Sequence, residues 1–275
     1  MTGAVALRGG FARHRVLPTL QALLLPVAIL VLWELAGRAD IIPEGLLPRP
    51  STVVATWRVW AFGSGGFGLN PYSGTWTDTV LFSARRVAEG FAVAVVVAVP
   101  VGILIGWSAL LARLVDPLIQ GLRPIPITAW LPFSIALFGI RDSGAVFLIA
   151  LGAFYPIVVN ATAGARDVRL NLVRAARMMG ASNTDLLLRV VFPNALPSIL
   201  TGMRIGLGVA WTAVIVAEIV AVKSGLGYVL WDAYYVGRMD VVLADMVSIG
   251  LAGFLSDRLM LLVSGWVLHW KQYQR

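Results

Sequence analysis

Six stretches of the chain are apolar over about the twenty residues that a helix needs to cross a bilayer. They run from Val16 to Ala36, Val87 to Trp107, Leu118 to Ile140, Gly144 to Ala163, Met203 to Val222 and Val241 to Val267. The fourth holds no charged residue, whereas the sixth is interrupted by Asp245, Asp257 and Arg258. Pro26, Pro100, Pro132 and Pro156 fall inside these stretches. Each proline removes one backbone hydrogen bond, which a helix in lipid tolerates only where neighbouring elements satisfy the freed group. The pattern predicts an all-α, polytopic membrane protein of about six spans packed as a bundle. The first stretch follows Arg8, Arg13 and Arg15 but precedes no small-residue cleavage site, so it reads as a retained helix rather than a signal peptide.

The polar intervals are unequal. Between the fourth and fifth stretches lies Arg166 to Ile199, RDVRLNLVRAARMMGASNTDLLLRVVFPNALPSI. Leu172, Val173, Ala176 and Met179 recur there at helical spacing, and so do Leu186, Leu187, Val190 and Val191, which predicts two short amphipathic helices. Gly180 lies between them and takes a positive φ at little cost, letting the first end and the chain turn. Ser182 with Asp185 three residues on fits a capping box for the second. Pro193 and Pro197 are expected to stop it and redirect the chain into the fifth span. Two readings are open: a rigid elbow that transmits a push between spans, or a segment lying on the inner leaflet with its arginines on anionic headgroups.

Composition supports the bilayer as solvent. Hydrophobic residues make up 59% of the 275 and charged residues 13%, and the mean hydropathy is +0.83, more than a soluble domain carries without aggregating. The net charge of +8 suits the cytoplasmic loops of such a protein rather than nucleic acid. With the first arginines inside, an even number of crossings puts Arg113, the arginines from Arg166 to Arg189, Lys271 and Arg275 inside too. The expected organisation is a cytoplasmic tail over 1–15, one membrane domain over 16–268 and a cytoplasmic tail over 269–275. Within the domain, 37–86 is an external loop and 164–200 a cytoplasmic segment. That external loop is at odds with the charge rule, because it contains Arg38, Arg49, Arg58, Arg85 and Arg86; its glycine-rich middle, 62–68, favours turns.

Several chemistries are excluded. There is no cysteine, and the two histidines, His14 and His269, lie near the termini, so neither a thiolate site nor a catalytic imidazole is expected. No GxxxxGK[ST] loop surrounds either lysine, Lys223 or Lys271, so ATP hydrolysis by that route requires another chain. Thr128, Trp130, Asn160, Thr162, Trp211 and Thr212 offer donors and aromatic faces without fixed charge, suited to passing a small anion or simply to joining helices. Arg123 and Arg204 near the inner ends of the third and fifth spans either line that path or snorkel to headgroups. Glu218, nearer the outer end of the fifth, fits an inter-helix pair or an outer gate. An ion-coupled secondary transporter is the alternative class, but the two halves show no convincing repeat. A membrane-embedded enzyme needs clustered ligands that the sequence does not offer.

Ala175, Ala176, Gly180, Phe192 and Pro193 resemble the EAA signature of permeases in binding-protein-dependent ABC importers. Leu47–Pro50, LRPIPITAWLP at 122–132, LFGI at 137–140, FYPI at 154–157, GMRIGLGVAW at 202–211 and AEI at 217–219 are similar to the nitrate, sulfonate and taurine branch of that family. The resemblance spans about Leu46 to Leu255. It implies a permease of the type I, MetI-like architecture in the inner membrane, paired with a second copy and receiving its anion from a periplasmic or lipoprotein binding protein. It also implies two cytoplasmic ATPase subunits, which hold ATP and Mg, while this chain holds no cofactor. Those subunits would dock on a coupling segment at Arg174, Ala175, Ala176, Met179, Gly180, Ala181, Ser182, Asp185 and Pro193. The family's signature glutamate falls at Arg174, so the acidic contact usual there is absent.

Overall fold

The computed structural model describes residues 10–63 and 71–269, with side chains from residue 24 onward. Arg8, Arg13, His14, Arg15, most of the glycine-rich stretch, Lys271 and Arg275 therefore lie outside the described residues or side chains. No strand occurs among the described residues. The helices run α1 (Gly10–Arg38), α2 (Pro50–Phe62), α3 (Trp76–Trp107), α4 (Ala109–Leu114), α5 (Asp116–Leu122), α6 (Leu131–Phe138), α7 (Asp142–Arg166), α8 (Leu170–Met178), α9 (Asn183–Asp185), α10 (Phe192–Ala221), α11 (Leu226–Tyr235) and α12 (Met239–Val267). Trp76–Trp107, Asp142–Arg166, Asn183–Ala221 and Met239–Val267 are each long and apolar enough to cross a membrane. Ala109–Leu122 and Ile127–Phe138 make one further span if taken together, bent by 96°. The first predicted stretch lies within α1.

Four expectations are corrected. The 37–86 segment is not a loop throughout: α2 occupies its middle, and α3 begins at Trp76 rather than Val87, so Arg85 and Arg86 are helical. Both charges are compensated within the fold, Arg85 by Glu89 one turn on at 2.7 Å and Arg86 across the bundle. The third predicted span is broken at Arg123–Pro126, where Pro124 and Pro126 withhold two amide donors and restrict the residues before them. Pro193 and Pro197 do not end the second limb of the elbow. Pro193 sits in the first turn of α10 and Pro197 one turn later, and the chain is helical without interruption from Asn183 to Ala221. A wide π turn, Leu186–Val191, absorbs the join, and Asn194 Nδ2 donates to the Val190 carbonyl at 2.7 Å. Finally, α11 is a helix where no stretch was long enough to predict one.

Packing centres on α7, which runs between α3 and α10. Lipid tails are as apolar as leucine, so helices in a bilayer associate through close packing and polar contacts rather than through hydrophobic exclusion. Small residues supply the closeness. A methyl group at Gly102 of α3 would stand 2.6 Å from Ala161 Cβ and 2.7 Å from the Val158 carbonyl of α7. One at Gly202 of α10 would meet Asn160 Cβ at 2.6 Å on the other face of α7. Ala94, Ala98, Ala153, Ala161, Ala210 and Ala213 are buried in the same seams.

At the end of the bundle away from α8, a polar network pins four helices. Arg86 is 5% exposed and Glu218 fully buried, and Arg86 Nη1 donates to Glu218 Oε1 at 2.7 Å. The same guanidinium reaches Asp142 of α7 at 2.8 Å and both the carbonyl and hydroxyl of Ser224. Ser83 donates to Glu218 at 2.8 Å while accepting from Leu226 N, and Gly227 N donates to Glu218 Oε2 at 2.9 Å. The first turn of α11 thus closes on a carboxylate from α10 and a hydroxyl from α3. Elsewhere Tyr72 donates to Asp232 of α11 at 2.6 Å, and burial beside that carboxylate pushes the phenol's pKa up, keeping it a donor. Asp245 of α12 is buried with no hydrogen-bond partner on either oxygen.

Gly102→Val is expected to cost about 1–3 kcal/mol through overpacking against α7. The measurement is the thermal unfolding midpoint in detergent, compared with Gly121→Ala, whose added methyl meets nothing within 4 Å; equal midpoints would refute the close-approach argument. Arg86→Leu strands a buried carboxylate and is expected to cost about 3–5 kcal/mol, while the double change Arg86→Leu with Glu218→Leu costs markedly less. A double-mutant cycle reads the difference, and additive losses would mean that the pair is not coupled.

Candidate functional site

The elbow is built by local rules. α8 ends at Met178, and Gly180 takes φ +83°, a left-handed value that other residues adopt at a penalty. Met179 N, Gly180 N and Ala181 N turn back onto the last carbonyls of α8, satisfying them. The next limb starts with a complete capping box: Asp185 N donates to Ser182 Oγ at 3.2 Å, and Ser182 N donates to Asp185 Oδ2 at 3.3 Å. Leu186 and Val191 are fully buried, and Val191 packs with Ala195 and Ile199 against Ile103 of α3 and Ala161 and Ala165 of α7. The second limb is therefore fixed to the membrane core.

The first limb faces outward. Arg174, Ala175, Arg177, Met178, Met179, Gly180 and Ser182 are exposed, and Ala181 and Asp185 half-buried. Leu172 and Met179, read from spacing as part of an inward stripe, are exposed, at 43% and 82%; α8 is too short to bury more than Ala176 and part of Val173. Ala176 consequently points inward and offers no surface, and Pro193 is half-buried in the first turn of α10. Met178, at 83% exposure, was absent from the expected surface. Its apolar side chain beside Met179 was the available signal, because exposed methionines favour adaptable protein contacts.

The residues expected to line a path are not brought together. Arg123 and Asn160 face one cavity of about 410 Å³ at the break between α5 and α6, together with Pro124, Ile125, Pro126, Ile127, Gly152, Tyr155, Pro156, Val159, Ile205 and Val209. Asn160 Nδ2 donates to the Pro156 carbonyl at 2.8 Å. Tyr155 was missed because its neighbours Phe154 and Ile157 make it look like core. Thr162 opens instead onto a separate hollow beside Asp116 and Arg166. Thr128 is exposed in the turn before α6, and the Trp130 indole nitrogen is buried without a partner. Trp211 donates to Ser256 of α12 at 2.8 Å and Thr212 to its own helix at Gly208. Arg204 is in an ion pair with Asp257 of α12, with 2.9 Å between Nη2 and Oδ2. Glu218 belongs to the buried network. Among the described residues no three His, Asp or Glu side chains are grouped to hold a metal.

Comparison with known proteins identifies the family. Residues 98–269 match the family model described as the binding-protein-dependent transport system inner membrane component. A putative aliphatic sulfonates transport permease of Bacillus subtilis is 32% identical over 252 residues, 92% of this chain and 88% of its own. A bicarbonate transport system permease of Synechococcus elongatus is 34% identical over 259 residues, covering 90% and 91%. A chain of the MetNI methionine ABC transporter in an inward-facing conformation shares the fold at 20% identity, with a TM-score of 0.63 over 70% of this chain and 95% of that one. The chain belongs to the binding-protein-dependent family and is a membrane-spanning permease subunit of an ABC importer, a protein whose ATPase is a separate subunit.

Proposed function

We propose that this permease imports a small anion, delivered by a binding protein, in an assembly of two permease copies and two cytoplasmic ATPase subunits. The two relatives named above carry anions by name, a sulfonate and bicarbonate, and the cavity at the broken span carries a positive charge with no acidic residue in its lining. The path follows that break, past Arg123, Tyr155 and Asn160, while Thr162, Trp211, Thr212, Arg204 and Glu218 support the helices around it. Both termini and the elbow lie on the cytoplasmic side, as the distribution of arginines favours.

The ATPase docks on the exposed tip of the elbow, over Arg174, Ala175, Met178, Met179, Gly180 and Ser182. One observation supports this reading above the others: the helix runs unbroken from Asn183, beside the tip, to Ala221 at the far end of the bundle. A packed helix moves as a body, so displacement of the tip by a nucleotide-driven partner is carried across the membrane rather than lost in a hinge. Arg174 presents a cation where the family signature has a carboxylate, and the matching groove of this transporter's own ATPase is expected to be acidic.

Gly180 offers the test, because a side chain added there meets nothing within 4 Å and projects into the docking space. Gly180→Trp is expected to leave membrane insertion intact and to abolish substrate-stimulated ATPase activity in the reconstituted complex. Gly180→Ala, which bears only the left-handed penalty of about 1–2 kcal/mol, retains it. Unchanged stimulation in the tryptophan variant would rule out docking at this tip.

A further inference from the structure

α8 presents more than the tip at its end. Leu170, Val173, Arg174 and Arg177 stand three and four residues apart, which puts them on one face of the helix. That face borders a hollow of about 680 Å³, whose other borders include Asn183 and the last residues of α3 and α7, Trp107 and Arg166. Met178, Met179 and Gly180 line none of it. The hollow is therefore separate from the surface assigned to the ATPase except at Arg174, which borders both. Three guanidiniums and no carboxylate line it. Arg166 already holds Asp116 at 3.0 Å, whereas Arg174 and Arg177 form no ion pair among the described residues. Like charges one helical turn apart repel each other, and an anion between them relieves the repulsion.

The level of the hollow narrows the ligand. α7 has 25 residues and at a rise of 1.5 Å each is about 37 Å long, against a hydrocarbon core of about 30 Å. α3, with 32 residues, is longer still. Their ends emerge at the headgroup layer, where tryptophan is enriched and arginine meets phosphate. Free phosphate would answer the arginines but leave Val168, Leu170 and Val173 of the lining uncovered. A zwitterionic lipid would bring its ammonium among three guanidiniums with no carboxylate to receive it. We propose that the hollow seats the headgroup of an anionic phospholipid, its phosphodiester between Arg174 and Arg177 and the start of its acyl chains along Leu170, Val173 and the Trp107 ring. The inference goes beyond the docking reading and takes from it only the placement of the elbow at the inner leaflet. α8 is then held on one face by lipid and worked at its tip by the ATPase.

The permease–ATPase complex is reconstituted in nanodiscs of phosphatidylcholine mixed with phosphatidylglycerol, and the lipids it retains on transfer to detergent are counted by native mass spectrometry. The unaltered complex is expected to keep phosphatidylglycerol in preference to phosphatidylcholine. Arg177→Gln is expected to lower that retention about fivefold, and Arg177→Lys to restore most of it. Arg113→Gln, which removes an exposed arginine outside the hollow, leaves it unchanged. Equal losses from Arg113→Gln and Arg177→Gln would reduce the effect to the general attraction of a basic face and overturn the site. Glycerol 1-phosphate displacing the lipid at equal concentration would make this a site for free phosphate, with no share for the acyl chains. If Arg177→Gln sheds the ATPase subunits while lipid retention stays intact, the hollow belongs to the ATPase and the lipid assignment fails. Gly180→Trp keeps the two readings apart: it is expected to uncouple the ATPase while phosphatidylglycerol stays bound.

Discussion

The separation between α7 and its two neighbours governs the rest of the molecule. In lipid nothing expels apolar surface from apolar surroundings, so three spans stay together only if their backbones come close enough for dispersion forces to act over their length. Gly102 and Ala161 on one side, and Gly202 and Asn160 on the other, set that distance. Larger side chains would hold the helices apart and also move Arg86 beyond reach of Glu218. The buried ion pair is thus a dependent of the small residues, and it fixes relative position more than it adds stability.

A contrast of construction follows. The α3–α7–α10 block is close-packed and closed at one end by the Arg86 network, and the second limb of the elbow grows directly out of it. The broken span formed by α4 to α6 lies outside that block, and its two prolines leave the path region without a continuous helix. Rigid and interrupted elements sit side by side, an arrangement suited to a transporter in which a driven body displaces a surface that must open and close.

Much of this was legible from residues alone. The spans announced themselves by length, and the elbow by periodicity, a glycine and a capping box. What was not legible has particular causes. Arg85 and Arg86 disguised the start of α3, because a hydropathy window sees charges and not their partners, and those of Arg86 are 56 and 132 residues away in sequence. Pro193 and Pro197 read as stops, yet the helix passes both, and the turn just before Pro193 is widened to a π turn at Leu186–Val191. The break at Arg123–Pro126 went unread because the apolar run on either side of it outweighed its signal, the two prolines Pro124 and Pro126. Leu172 and Met179 had the spacing of a buried stripe, but α8 touches its neighbours along one narrow edge, and tertiary context decided which face was covered. Tyr155 came to light only once the fold placed it in the same cavity lining as Arg123.

The π turn at Leu186–Val191 has an unexpected bearing on how such a chain can change. Leu186 and Val191, five residues apart, are both fully buried, whereas in an ordinary α-helix each residue advances by about 100° and a spacing of five points to divergent faces. The widened turn acts as a phase adjuster: it inserts one residue so that both ends of the helix can satisfy different surroundings. A residue lost there could be taken up by closing the turn to ordinary α geometry with both flanking faces kept, whereas the same loss elsewhere in this helix would rotate the elbow by about 100° and turn its tip away from whatever engages it.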